Sequence, residues 1–287
     1  MKDFSDELSR LCEALENADA IVVGAGAGLS ASAGFEYGGD SFARNFPDLV
    51  SKYGLSDMYS AGFYPYDTDE EFWGFWSRSI MINRYTGIPK PKVFSDLLGL
   101  VGGKEYFVIT TNVDHCFQQA GFDKERLFYT QGDYGLFQCS KPCRQETYDN
   151  FSAVMRMAAG IKDGKIRTED IPRCPICGRK MVPNLRSDGN FVEDRGWHRA
   201  SARYRDFIGK HSRGRTVYLE LGVGSNTPGI IKYPFWDMAA GNRSSVYACV
   251  NLGQAYAPKE ILGRSILIDM DIGAALEKLS EKRSSES

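Results

Sequence analysis

The chain has 287 residues, 43% of them hydrophobic and 25% charged, with a formal net charge of −2 and a pI of about 6.0. That balance excludes nucleic acid or an anionic membrane as an electrostatically driven main partner. No apolar run approaches the roughly 20 residues that span a bilayer, and the acidic start M-K-D-F-S-D-E-L does not read as an export signal, so a cytoplasmic location is expected.

Phe4, Leu8, Leu11 and Leu15 repeat at helical spacing and predict an amphipathic helix over 3–18. Ala20–Val23 is an apolar run that stops at glycines, as a buried parallel strand does. The small-residue loop from Gly24 to Gly34 follows it and enters a helix. Read as G-x-G-x-x-A, this loop fits a dinucleotide-binding turn, although no acidic residue closes a second strand about 20 residues on. Residues 36–87 crowd aromatic side chains, which predicts a helical insert with an aromatic core or a lined cleft. Pro91 opens a helix through Leu98, and strands follow at Tyr106–Ile109 and Leu127–Tyr129. Further strands are expected at Thr216–Gly222, Val246–Val250 and Ser265–Asp269, with a last helix over Ala274–Leu279 that fades into a polar tail.

Strands alternating with helices imply an α/β fold with a doubly wound parallel, Rossmann-like sheet. Residues 1–35, 88–137 and 214–287 are assigned to that sheet domain. The helical insert (36–87) and a small zinc-ribbon domain (138–213) interrupt it. Cys139-Ser-Lys-Pro-Cys143 and Cys174-Pro-Ile-Cys177 are two knuckles whose four thiolates can close a tetrahedral zinc site with no open position, which makes the metal structural. Cys12, Cys116 and Cys249 lie in apolar contexts and read as core.

Several segments in order resemble the sirtuin family. Gly26-Ala27-Gly28-Leu29-Ser30 followed by Gly34-Phe35 is similar to G-A-G-[IV]-S…S-G-I. Thr110-Thr111-Asn112-Val113-Asp114 looks like T-Q-N-I-D. Gln131-Gly132 falls where the family has His-Gly, Gly222-Val223-Gly224-Ser225-Asn226 resembles the G-T-S segment, and Val250-Asn251 matches the late strand ending in asparagine. The departures are as informative: P-D-F-R is replaced by Glu36-Tyr37-Gly38-Gly39, histidine by Gln131, and V-x-F-G-E by Pro183-Asn184-Leu185-Arg186. This set resembles the class M sirtuins of bacteria and fungi, often encoded beside a macrodomain protein and lipoyl-carrier genes.

The resemblance implies NAD-dependent ADP-ribosylation of a protein, with a lipoyl-bearing glycine-cleavage H-like carrier as acceptor and a macrodomain hydrolase acting in opposition. It implies catalytic roles for Asn112, Gln131 and Arg186. It places Gly26, Ala27 and Gly28 at the pyrophosphate, with Ser30 donating to a phosphate or capping the helix. Asp114 is assigned to the nicotinamide carboxamide, Asn112 to the ribose, and Gly222, Gly224, Ser225 and Asn251 to the adenosine half. The chemistry of Gln131 is consistent with transfer. Cleaving nicotinamide from ribose needs positioning and electrostatics, whereas sirtuin deacylation needs a base with a pKa near neutrality, and an amide is none. A histidine-free deacylase, an NAD glycohydrolase and a non-catalytic NAD or ADP-ribose sensor are the alternatives. His115 is expected to point away from the site. His198 and His211 are placed in polar loops and given no role.

Overall fold

A computed structural model describes residues 3–86, 92–225 and 228–286. The chain opens with helix α1 (Ser5–Glu16), strand β1 (Ala20–Ala25) and α2 (Ala27–Ser32). Helices α3 (Gly39–Asn45), α4 (Pro47–Tyr53), α5 (Met58–Gly62) and α6 (Asp69–Ile80) follow, and α6 runs on as a π-helical turn over Met81–Thr86. Next come α7 (Lys92–Val101), β2 (Tyr106–Thr110), α8 (Cys116–Gln119), β3 (Leu127–Tyr129), β4 (Gly132–Cys139), β5 (Tyr148–Asp149), α9 (Phe151–Ala159) and β6 (Met181–Leu185). The chain finishes with α10 (Arg195–His211), β7 (Thr216–Leu221), α11 (Lys232–Gly241), β8 (Val246–Val250), α12 (Lys259–Leu262), β9 (Ser265–Ile268) and α13 (Ile272–Glu286).

Six strands form one sheet in the order β3-β2-β1-β7-β8-β9, and every neighbouring pair is parallel. The order reverses at β1. From there β2 and β3 extend to one side and β7 to β9 to the other, so the carboxyl ends of β1 and β7 flank the switch point where open α/β sheets bind ligands. All six residues of β1 are buried because helices cover both faces. Ile21, Val23 and Ala25 face one core with α1, α7 and α13, and Val22 faces the other with Phe107, Phe128 and Phe235.

A second, antiparallel sheet has the order β5-β4-β6. Its core joins Trp73 and Ile80 of α6 to Phe137, Val154, Met157 and Met181, so the aromatic insert and the cysteine-bearing segment share one apolar interior. Phe42, Phe46 and Phe75 pack in a further cluster. Phe42, Phe46, Trp73 and Phe75 are core, Tyr37, Tyr53, Tyr66, Phe72 and Trp76 pack half-buried against them, and Tyr59 and Phe63 are exposed.

Strand β6 takes in Pro183, Asn184 and Leu185, and Arg186 follows it directly. Three local expectations are corrected. His198 and His211 lie on α10, a 17-residue helix whose Trp197, Ala200, Tyr204, Phe207 and Ile208 recur at helical spacing and pack beneath the main sheet. The last helix continues to Glu286. The helix after the glycine loop begins within it, at Ala27. The expected helix start at Pro91 and the motif residue Asn226 lie outside the described residues.

Candidate active site

The glycine loop and the end of β7 meet backbone to backbone. A Cβ added at Gly26 would sit 2.6 Å from the Gly222 carbonyl oxygen, and one at Gly28 2.7 Å from the Gly222 Cα. Gly222 itself is left-handed, at φ 64°. Gly26 N–H donates to Leu221 O and Gly28 N–H to Gly222 O, each at 3.0 Å. The glycines thus serve close approach of two strand ends, and among Gly26, Ala27 and Gly28 only the exposed Ala27 stays out of these bonds.

Asn112 ties β2 to this loop. Its Nδ2 donates to Gly26 O and to Ser30 Oγ, both at 2.9 Å, while its Oδ1 has no hydrogen-bond partner among the described residues. Ser30 is fully buried. It neither caps α2 nor reaches outward, because its hydroxyl donates to Asp114 Oδ2. Asp114 Oδ1 accepts from Cys116 N–H at 2.9 Å. Burial together with the nearby Asp114 charge pushes the Tyr37 hydroxyl well above the ordinary tyrosine range. The sequence flagged Asn112, Ser30 and Asp114 separately; the fold joins them into one network, with Ser30 and Asp114 buried and Asn112 half-buried.

Gln131 stands between β3 and β4. Its carbonyl accepts from Arg186 N–H at 3.0 Å, and Gly132 pairs with Leu185 in the small sheet. The Gln131 side chain is half-buried and makes no hydrogen bond among the described residues. Arg186 pairs with Glu193 at 2.5 Å and stacks over Phe191 (4.4 Å) and Trp197 (5.5 Å). Two of the three expected catalytic residues are thus backbone partners.

His115 is bonded to Asp133 and has no hydrogen bond to Asn112 or Gln131. It is left-handed, at φ 71°, and its Nδ1 lies 2.6 Å from Asp133 Oδ2, two residues beyond Gln131. Asp133 also accepts from Arg84 Nε at 3.1 Å and from Gly135 N–H at 2.6 Å. Burial pushes the Asp133 carboxyl up, but His115, Arg84 and the Gly135 N–H outweigh it and hold it below the usual carboxylate range. Sequence reasoning missed this group. Its one signal was the acid at the third place of Q-G-D, and Arg84 comes from a π-helical turn that no sequence pattern announced.

The adenosine-side residues lie at strand ends. Asn251 is buried and donates Nδ2 to Val223 O at 3.1 Å. Gly224 is half-buried and has room for a side chain, and Ser225 is exposed.

At the far end of the small sheet, Cys139 and Cys177 sulfurs lie 3.7 Å apart and those of Cys143 and Cys174 3.6 Å, with all four within 4.8 Å of one another. Zinc–sulfur bonds of about 2.3 Å in a tetrahedron set sulfurs about 3.8 Å apart, so the four cysteines fit structural zinc. Burial resists ionisation of Cys174, but the N–H groups of Cys177 and Ile176 bring its thiol down to about 7. Cys12, Cys116 and Cys249 are buried, as expected of core residues.

The fold is that of the sirtuins. A crystal structure of a Sir2 homologue in complex with NAD superposes with a TM-score of 0.66 at 15% identity, covering 97% of this chain and 95% of that one. A Sir2 enzyme bound to a propionylated peptide gives 0.62 at 20% identity, covering 96% and 98%. No protein-family model matches the chain. A protein ADP-ribosyltransferase of Staphylococcus aureus (strain Mu50) is 39% identical over 277 residues, covering 96% of this chain and 88% of that protein. A probable bifunctional ADP-ribose hydrolase/ADP-ribosyltransferase of Fusarium oxysporum f. sp. cubense is 33% identical over 293 residues; the match covers 96% of this chain and 48%, about half, of the fungal protein. The chain belongs to this ADP-ribosyltransferase family and is an NAD-dependent enzyme on the sirtuin fold.

Proposed function

We propose that the protein is a class M sirtuin that breaks the bond between nicotinamide and the ribose C1′ of NAD and transfers ADP-ribose to a protein, a lipoyl-bearing glycine-cleavage H-like carrier, in the cytoplasm. The bond to nicotinamide breaks as a bond from C1′ to the acceptor nucleophile forms, and the nucleophile's proton leaves to solvent. The observation that carries the reading is Gln131. An amide that cannot take a proton occupies the base's place, and its backbone holds Arg186 alongside. Glycosidic cleavage loses little without a base, while a deacylation step would lose about 10²–10⁴ in rate.

In this reading Asn112 presents its unspent Oδ1 to a ribose hydroxyl or an ordered water, and Asp114, fixed through Ser30 and Cys116, orients the nicotinamide carboxamide. Gln131 hydrogen-bonds the ribose, and Arg186 steers an anionic group of the acceptor. The Staphylococcus relative is named for transfer to protein, and a solved neighbour binds a peptide, which supports a protein acceptor. The Fusarium relative's name couples the transferase to an ADP-ribose hydrolase, which supports an opposing hydrolase, a macrodomain protein, as a working partner. Among the described residues no helix is long and apolar enough to cross a membrane.

Adenine-labelled NAD incubated with the enzyme, a lipoylated carrier and an acetyl-lysine peptide tests the reading. Label on the carrier is expected, lost in Arg186→Ala and sharply reduced in Gln131→Ala, with NAD binding retained in both. Label in O-acetyl-ADP-ribose would make the protein a deacylase, free ADP-ribose alone a glycohydrolase, and intact NAD a sensor.

A further inference from the structure

The outer side of α10 carries exposed arginines. Its inner face, with Trp197, Tyr204 and Phe207, packs on Phe107 and Phe128 of the main sheet. At 100° per residue Arg195 and Arg199 project from the other side with Asp206 between them, Arg205 projects from one flank, and all four are exposed. Among the described residues the side chains of Arg195, Arg199 and Arg205 have no hydrogen bond or ion pair, whereas Arg203 and Lys210 on the opposite flank from Arg205 are paired with Glu125 (3.1 Å) and Glu105 (3.6 Å). The helix carries five Lys or Arg against a single acid, Asp206, in a chain whose net charge is −2. The acids just before it are committed: Glu193 to Arg186, and Asp194 to capping Trp197 N–H at 2.8 Å and accepting from Thr147.

Folding alone does not call for this arrangement. The first turn of α10 holds no acid, and Arg195, its first residue, stands at the positive end of the helix dipole, where a cation is unfavourable and Asp or Glu would stabilise. The same end of the helix touches the candidate active site. Trp197 Nε1 donates to Thr130 O at 3.2 Å, next to Gln131, and Arg186 stacks on the Trp197 ring. A protein presenting a side chain at the Gln131–Arg186 junction therefore meets the first turns of α10 on the way.

We propose that Arg195, Arg199 and Arg205 form the docking surface for an acidic face of the protein acceptor. This rests on the transferase reading above and adds to it what selects the acceptor. Unpaired exposed charges of one sign raise encounter rate and select partners, and their effect is screened by salt.

The test uses the lipoylated H-like carrier as probe and compares wild type with Arg195→Glu/Arg199→Glu/Arg205→Glu and with Asp206→Lys. The triple reversal is expected to lower kcat/KM for the carrier at least tenfold through KM, to remove most of the salt dependence, and to leave acceptor-free nicotinamide release unchanged. Asp206→Lys is expected to lower KM. Equal kcat/KM and equal salt dependence across the three enzymes would overturn the docking surface and leave the transferase standing. Nicotinamide release without any carrier labelling by wild type would overturn the carrier reading and, with it, this surface's occupant.

Discussion

Replacing Gly132 by alanine is the most direct perturbation of the Gln131–Arg186 junction, because it touches neither side chain. Gly132 has φ 98°, where an L-residue is strained by roughly 1–2 kcal/mol. Its added Cβ would lie 1.9 Å from the Asn184 carbonyl oxygen, a backbone atom that no rotamer change moves aside. Relieving that contact to the 3.0 Å floor of real Cβ contacts opens β4 from β6 by about 1.1 Å, the difference of the two. The 3.0 Å bond from Arg186 N–H to Gln131 O would then be lost, at about 1 kcal/mol. The sum, about 2–3 kcal/mol, is about 3–5 °C in Tm for a chain of this length at ~2.1 cal/mol/K per residue. Catalytically, misplacement by about 1 Å costs on the order of 10²-fold. The assay is carrier labelling beside a thermal melt and a zinc determination. A folded, zinc-replete Gly132→Ala enzyme that labels the carrier at the wild-type rate would refute the claim that this juxtaposition serves transfer.

Two further outcomes follow from the geometry. Asp133→Asn removes the charge shared by His115 and Arg84 and is expected to cost about 1–3 kcal/mol at neutral pH. Because the Asp133 carboxyl is depressed in the folded state, its contribution is present above the unfolded value of about 3.9 and fades as pH falls through the lower folded value. The urea stability gap between wild type and variant should therefore close below about pH 4, and a gap independent of pH would show that the charge contributes nothing. Metal analysis should give about one zinc per chain, and chelation or Cys174→Ser should expose Trp73, now 1% accessible, as a red-shifted emission. A metal-free protein melting like the native one would remove zinc from the account.

The main sheet was legible because its strands are short apolar runs ended by glycine, and a strand buried on both faces has little other way to be written. The four cysteines were legible because a closed thiolate site fixes residue type and local spacing together. Helix α10 was also written in the sequence, in the spacing of Trp197, Ala200, Tyr204, Phe207 and Ile208 among arginines. Its many charges masked that period.

Other features had no local signature. Gly26 and Gly28 read as ligand-binding glycines, and their close approach to Gly222 had no signature in the sequence. Ser30 read as a cap or phosphate donor, but it serves the buried link between Asn112 and Asp114. The sequence by itself determined the parallel sheet, the metal ligands and the order of the motifs, since each depends on residues close together in the chain. Only the tertiary structure decided that Gln131 holds Arg186, that Arg84 and His115 share Asp133, and that one basic helix face borders the site. Those pairings depend on strand register and on where β6 and α10 return to the sheet, which no window of local sequence contains.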